Sequence, residues 1–290
     1  MTDPMIELGP NRYGKSAIRL VRVDRSDPAR HVVRDLTVDV ALEGDFAAAH
    51  TAGDNSLVVA TDTMKNTVYA LAREGMRGDT PPERFASALA AHFLGFDQVD
   101  SAHVTAREHA WSRLDGAGGA ARDAFARAGA GTRLAVVVAR RDGVEVEAGI
   151  EDLVVMKTSR SSFAGFPRDR YTTLPEAHDR IMATRVTAAW RYVPDGGGAF
   201  DLDAAWSGVR STLLEVFADH ESPSVQASIW IIGRAILERH PYVSEVRMRL
   251  PNLHHWLVDL APFGQENPGE VFVATTEPHG LIEATVRRGA

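Results

Sequence analysis

The sequence predicts an α+β fold built twice in tandem, and three observations carry that prediction. Apolar and polar residues alternate in short runs, as they do in strands with one buried face. Pairs of helix-length segments fall between those runs. The order strand, strand, helix, helix, strand, strand then occurs once in each half of the 290 residues, so the expected units are residues 1–145 and 146–290.

In the first half, Ala17 to Asp24 (AIRLVRVD) and Val32 to Leu42 (VVRDLTVDVAL) alternate, with a turn at Asp27-Pro28 between them. Helices are expected from Lys65 to Glu74 and from Pro82 to Phe93, the second opened by Pro81-Pro82. Strands return at Ser101 to Leu114, Arg133 to Ala139 and Val144 to Lys157, while Gly- and Ala-rich Asp115 to Gly131 reads as mostly loop. In the second half a strand spans Arg180 to Tyr192, and Pro194 to Gly198 is a turn signal. Helices follow at Leu202 to Asp219 and Ser224 to Arg239, then strands at Val243 to Leu250, His255 to Leu260 and Glu270 to Thr276. Two echoes support duplication: TMKNTVYA from Thr63 against SVQASIWI from Ser224, and REHAW from Arg107 against NLHHW from Asn252.

Composition narrows the function. With 44% hydrophobic and 24% charged residues the chain reads as globular, and a net charge of -7 gives no broad basic footprint for nucleic acid. There is no cysteine, which removes disulfides, thiolate nucleophiles and Cys-bound zinc together. No run of about 18 apolar residues suggests a membrane span. The first residues lack a basic segment followed by an apolar one, and the last lack Ser-Lys-Leu; both predict a cytoplasmic protein.

Several places hold residues suited to chemistry, each with a plainer reading beside it. In LVVATDTMKNTVYA (Leu57 to Ala70), Thr61, Asp62 and Thr63 precede a helix and suit capping, worth about 1 kcal/mol. Lys15, in Tyr13-Gly14-Lys15, is of a type that is usually solvated. The aromatic loop Ser162 to Pro167 fits a packed corner. Arg180 beside Asp179 fits a surface ion pair, and Gln226 after Ser222-Pro223-Ser224 fits helix capping. In Leu250 to Trp256, Pro251 is expected to interrupt a strand and leave Asn252 and His254 at an irregular turn, with one histidine of His254-His255 structural.

Together, the stretches YGKSAIR, NSLVVATDTMKNTVY, KTSRSSFAGFPRDRYTTLPEAHDRI, SPSVQAS and LPNLHHW closely resemble the urate oxidases, or uricases. They run from Tyr13 to Trp256 and cover most of the chain. The resemblance implies two tandem tunnelling-fold units, each an antiparallel sheet with paired helices on one face. It also implies a homotetramer in which sheets close into barrels between subunits, with active sites between subunits. By resemblance Lys15, Thr61 and His254 form a catalytic proton relay, and Asp62 belongs to the edge that contacts the purine through backbone N–H. Phe163 matches the ring that stacks on urate, Arg180 and Gln226 the pair that grips its pyrimidine edge, and Leu174 and Val225 the pocket lining. Asn252, with Thr61, matches the dioxygen- or water-binding pair.

The implied reaction is oxidation of urate by dioxygen to 5-hydroxyisourate and hydrogen peroxide, without metal, flavin or haem. A planar anion needs a π-face, a cationic fork and an amide with both donor and acceptor, which these residue types provide. Two slight departures occur: Ile18 stands where Val is common, and the peroxisomal tail of many eukaryotic members is absent. A tunnelling-fold pterin enzyme would share the architecture but commonly uses Cys- or His-bound zinc. A non-catalytic purine binder would keep Phe163, Arg180 and Gln226 while losing Lys15, Thr61 and His254, all of which are present.

Overall fold

The computed structural model describes residues 6–193 and 200–289, so the turn signal at Pro194 to Gly198 lies outside the described residues. The chain divides into two compact units, Met1–Ala148 and Gly149–Ala290.

In the first unit, β1 (Tyr13–Asp24) and β2 (Val32–Gly44) form an antiparallel hairpin. After a short helix, α1 (Ala47–Thr51), come the pair α2 (Thr61–Gly75) and α3 (Pro82–Leu94). β3 (Val99–Glu108) and β6 (Thr132–Arg140) extend the sheet in the order β1-β2-β3-β6-β7. β7 (Gly143–Lys157) begins in this unit and ends in the next.

The stretch expected to be loop instead holds a separate two-stranded hairpin, β4 (Trp111–Gly116) and β5 (Gly119–Arg127). Its strands are largely exposed and mix Ala, Arg and Gly, so no apolar alternation marks them. For the same reason the strand expected from Ser101 to Leu114 is two strands, broken at His109-Ala110.

Period-two burial builds the sheet's inner face: Leu36, Val38, Val40 and Leu42 are all buried. Against it lie Met64, Val68 and Ala72, spaced one helical turn apart on α2, and Phe85, Leu89 and Phe93 of α3. Each large side chain contributes about 1.5–3 kcal/mol by leaving water. One chain of charges crosses this core. Glu83, in the first turn of α3 and fully buried, accepts from Arg133 Nη2 at 2.7 Å and Nε at 3.3 Å. Arg133 also faces Glu108 at 3.8 Å, and Glu108 in turn pairs with Arg34 at 2.6 Å.

In the second unit the order is β7-β8-β9, with β8 at Met182–Tyr192 and β9 at Val243–Leu257. The helices between are α4 (Leu202–Asp219) and α5 (Val225–Arg239). β10 (Phe272–Thr275) and β11 (Leu281–Arg287) both pair with β9; β11 has no counterpart in the sequence reading, and Ala261–Phe263 is a single 3-10 turn.

β9 is not interrupted at Pro251, contrary to the expectation that proline would break it. Its outer partner changes there: along β9, pairing with β11 stops at Pro251, opposite Leu281, and pairing with β10 starts at His254, opposite Thr275. A residue without an N–H is tolerated where the ladder changes hands, and the Pro251 carbonyl still accepts from Thr184 Oγ1 at 2.9 Å. The two strands expected at Val243 to Leu250 and His255 to Leu260 are therefore one.

Topology also re-registers the duplication. α5 immediately precedes β9 as α3 immediately precedes β3, with starts at Val225 and Pro82 and at Val243 and Val99. The echo from Arg107 to Asn252 agrees with that spacing, whereas the echo from Thr63 to Ser224 sets α2, the first of its helix pair, against α5, the second of its pair, and does not agree with it. Each unit's first strand carries a non-glycine residue in the left-handed region, Ala17 at φ 57° and Asp152 at φ 57°. Such a residue costs roughly 1–2 kcal/mol. In β1 this is a bulge, the register shifting between Lys15 and Ile18, with the Ala17 N–H donating to Asp39 Oδ1 at 2.7 Å.

Candidate active site

The second unit contains a cavity of about 350 Å³, within the range of small-ligand sites. Phe163, Leu174, Arg180, Val225, Gln226, Asn252 and His254 all line it. Sequence separation of up to 91 positions, from Phe163 to His254, is closed by three elements meeting: the loop after β7, the start of α5 and the outer end of β9.

That loop is pinned by backbone rather than by apolar packing. Phe163 and Ala177 exchange N–H···O bonds at 2.7 and 3.0 Å, the Ser162 N–H donates to Ser222 O at 2.8 Å, and the Arg180 N–H donates to Ser161 O at 2.8 Å. Lys157 and Arg160 donate to the last carbonyls of α4, at His220, Asp219 and Ala218, where cations suit the helix dipole. Ser224, not Gln226, caps α5, accepting from the Ala227 N–H at 3.1 Å. The Phe163 ring lies 5.0 Å from Phe166, stacked at 12°, and the Arg180 guanidinium sits 5.4 Å from the Phe163 centroid.

Arg180 does not pair with Asp179. Its Nε is buried without a partner among the described residues, and desolvation lowers its pKa. An unpartnered guanidinium in a cavity calls for an anion. The Gln226 amide, the Asn252 amide and the His254 ring likewise make no hydrogen bond among the described residues, although the Asn252 N–H donates to Gly280 O at 2.8 Å. His255, the other histidine of the pair, turns Nδ1 to Leu253 O at 3.0 Å, and its ring also lines the cavity. Trp256, which the sequence did not single out, also lines it and stacks on His254 at 5.2 Å.

Burial lowers the His254 pKa below the ordinary 6.5, with Arg180, His279 and His255 adding in the same direction. His254 is therefore neutral at pH 7 and free to accept a proton. A function needing the neutral ring fails as pH falls through that lowered pKa. His279→Asn, removing one of the groups that lower it, is expected to raise the His254 pKa and start the loss at a higher pH. Imidazole NMR titration of both proteins checks this; a wild-type His254 pKa at or above 6.5 contradicts it.

The first unit holds the remaining predicted residues. The cap of α2 is Ala60, and no side chain caps the helix, so the capping role expected for Asp62 or Thr63 is not observed. Asp62 instead accepts from Lys65, one turn on, and from Asn66 Nδ2 at 3.0 Å. The pKa of Asp62 is lowered chiefly by that Lys65 bond, with the Lys15 charge contributing. The Thr61 hydroxyl and the Lys15 amine have no hydrogen-bond partner among the described residues, and both are half-buried. Gly14 beside Lys15 is required sterically, since a Cβ there would stand 1.9 Å from Val40 O.

Fold and site thus define a tandem antiparallel α+β protein whose second unit offers a partly apolar pocket suited to an anion with hydrogen-bonding edges. No group of three or more possible metal-ligating side chains gathers among the described residues, and no described helix is long and apolar enough to cross a membrane. The uricase family profile matches residues 11–138 and 146–283. The chain is 48% identical to a uricase of Arthrobacter globiformis over 288 residues, 99% of this chain and 92% of that one. It is 36% identical to a uricase of Aspergillus flavus, covering 96% of each. The crystal structure of the Arthrobacter globiformis uricase superposes with a TM-score of 0.91 over 98% of this chain and 96% of that one. A urate oxidase of Bacillus sp. TB-90, at 27% identity, superposes with 0.83 over 96% of this chain and 100% of that one. The chain belongs to the uricase family.

Proposed function

We propose that this chain is a urate oxidase, converting urate, dioxygen and water to 5-hydroxyisourate and hydrogen peroxide. The observation that carries the reading is a division of hydrogen bonds. Arg180, Gln226, Asn252 and His254 leave side-chain groups unspent around one cavity, while Ser224, Asp179 and Thr184 beside them are committed to the fold.

In this reading the Phe163 face supports the purine, Arg180 and Gln226 hold its pyrimidine edge, and Leu174 and Val225 exclude water from its flanks. Thr61 and Asp62 meet the opposite edge, Asp62 through its backbone N–H. Lys15, Thr61 and His254 move protons, since a threonine hydroxyl needs an amine or imidazole beside it to do so. Removing a further proton from urate yields an electron-rich dianion able to pass one electron to dioxygen held by Thr61 and Asn252. The radicals combine at C5, and the peroxide leaves as hydrogen peroxide while water adds there. The protein contributes position and proton control, and the reading requires no cofactor.

Because Lys15 and Thr61 belong to the first unit and the other groups to the second, we place each site between subunits. The assembly is a homotetramer in which sheets of paired subunits close into barrels, acting in the cytoplasm without nucleic acid or membrane. The domains proposed are residues 1–145 and 146–290. Loss of urate absorbance in the ultraviolet with purified, metal-stripped protein tests the activity. Absence of turnover, or turnover restored only by one added metal, overturns it.

A further inference from the structure

Tyr13 is half-buried at the foot of β1, two residues before Lys15, and no role follows for it from the pocket. Its hydroxyl accepts from the Val59 N–H at 2.8 Å and donates to Val59 O at 3.1 Å, across 46 positions of sequence. Its ring packs edge-on against Phe46 at 4.8 Å and 85°. Val59, itself buried, lies two residues before Thr61.

The start of α2, like those of α1 and α3, carries no side-chain cap. The first turn of a helix leaves N–H groups unsatisfied, and a Ser, Thr or Asp side chain ordinarily takes one or more of them. Thr61, Asp62 and Thr63 are all of suitable type, yet Ala60 occupies the cap and Asp62 faces along the helix to Lys65 and Asn66. The segment entering the helix is held from outside, by the paired Tyr13–Val59 bonds.

We infer that Tyr13 is a positioning residue for the proton relay: it clamps Val59 to β1 in place of a helix cap, fixing Thr61 relative to Lys15 and leaving the Thr61 hydroxyl and the first-turn N–H groups unspent. A side-chain cap would stabilise the helix equally well but would consume the groups that the chemistry needs. The Lys15 end of the clamp is equally constrained. Lys15 sits opposite Val40 at the edge of the β1 bulge, and Gly14 allows β1 to press against Val40 O. Burial raises the Tyr13 pKa, so the phenol stays protonated and keeps donating to Val59 O.

The inference rests on the urate oxidase reading. Tyr13→Phe keeps the ring and deletes only the hydroxyl. It is expected to lower kcat for urate by about 10- to 100-fold, while the dissociation constant for urate, measured without oxygen by difference absorbance, stays within about threefold. Phe46→Leu, which loosens the packing beneath Tyr13 and keeps its hydroxyl, is expected to lower Tm while leaving kcat within about threefold. If Tyr13→Phe retains wild-type kcat, or loses activity only through weaker urate binding, the positioning role is wrong. If Phe46→Leu loses kcat as much as Tyr13→Phe, general loosening explains both and the role is again wrong. Wild-type protein that neither binds nor oxidises urate refutes the functional reading itself, an outcome distinct from either of these.

Discussion

Arg180→Ala is expected to weaken urate capture by about 30-fold to a few thousandfold, because losing a charge-assisted pair to a buried anion costs about 2–5 kcal/mol. The guanidinium is partly desolvated, with Nε buried and unpartnered, so part of the cost of bringing it out of water is borne by folding rather than by binding. Urate binding without oxygen, measured by difference absorbance, reads the loss directly; an unchanged dissociation constant removes Arg180 from the site. The same variant tests the division of each site between subunits. Inactive Thr61→Ala and inactive Arg180→Ala chains, unfolded together and reassembled, should regain activity, because some interfaces pair an intact Thr61 edge with an intact Arg180 pocket. Random pairing across a two-fold interface makes about half of the pairs mixed, each with one intact and one doubly damaged site, so recovery should approach about a quarter of wild type. Mixed oligomers verified by mass spectrometry but no more active than either parent would place the whole site in one chain.

Glu83→Ala is expected to cost about 3–5 kcal/mol of stability, a large part of the roughly 5–15 kcal/mol available to a domain. It leaves Arg133, only 7% exposed, without its closest carboxylate in the core of the first unit. Replacing both partners, Glu83→Leu with Arg133→Met, should recover much of the loss, since two apolar side chains leave no uncompensated charge. Urea denaturation of the three proteins decides the matter. A Glu83→Ala midpoint equal to that of wild type would mean that the ion pair holds nothing, and a double variant less stable than the single would reverse the argument.

Legibility in the sequence followed burial. β2, α4 and α5 could be bounded to within about two residues because their apolar spacing is imposed by one buried face, as in Leu36, Val38, Val40 and Leu42. The β4–β5 hairpin was missed because an exposed two-stranded ribbon needs no apolar face, and its Ala-Arg-Gly composition resembles a loop. Pro251 misled for a different reason: a proline breaks a ladder only if its N–H is wanted, and at a change of partner it is not. At the site, residue types named the chemistry, but only the fold separates Gln226 from the Ser224 that caps the same helix, or reveals that Arg180 passes over its neighbour Asp179. Tyr13 stands two residues before Lys15 yet carries no signal in the sequence, because its partner is a backbone group 46 positions away.

The split between unspent and committed groups has an evolutionary corollary. Arg180, Gln226, Asn252 and His254 contribute no side-chain hydrogen bond to the described fold, so exchanging them alters what the cavity accepts at little expense to the scaffold. Ser224, Thr184 and Asp179 allow no such freedom, because each holds a backbone group in place. Adaptability and robustness therefore reside in different residues of the same wall. A lineage, or a mutagenesis library, can explore new planar anions in this pocket by drawing on the first set and leaving the second alone.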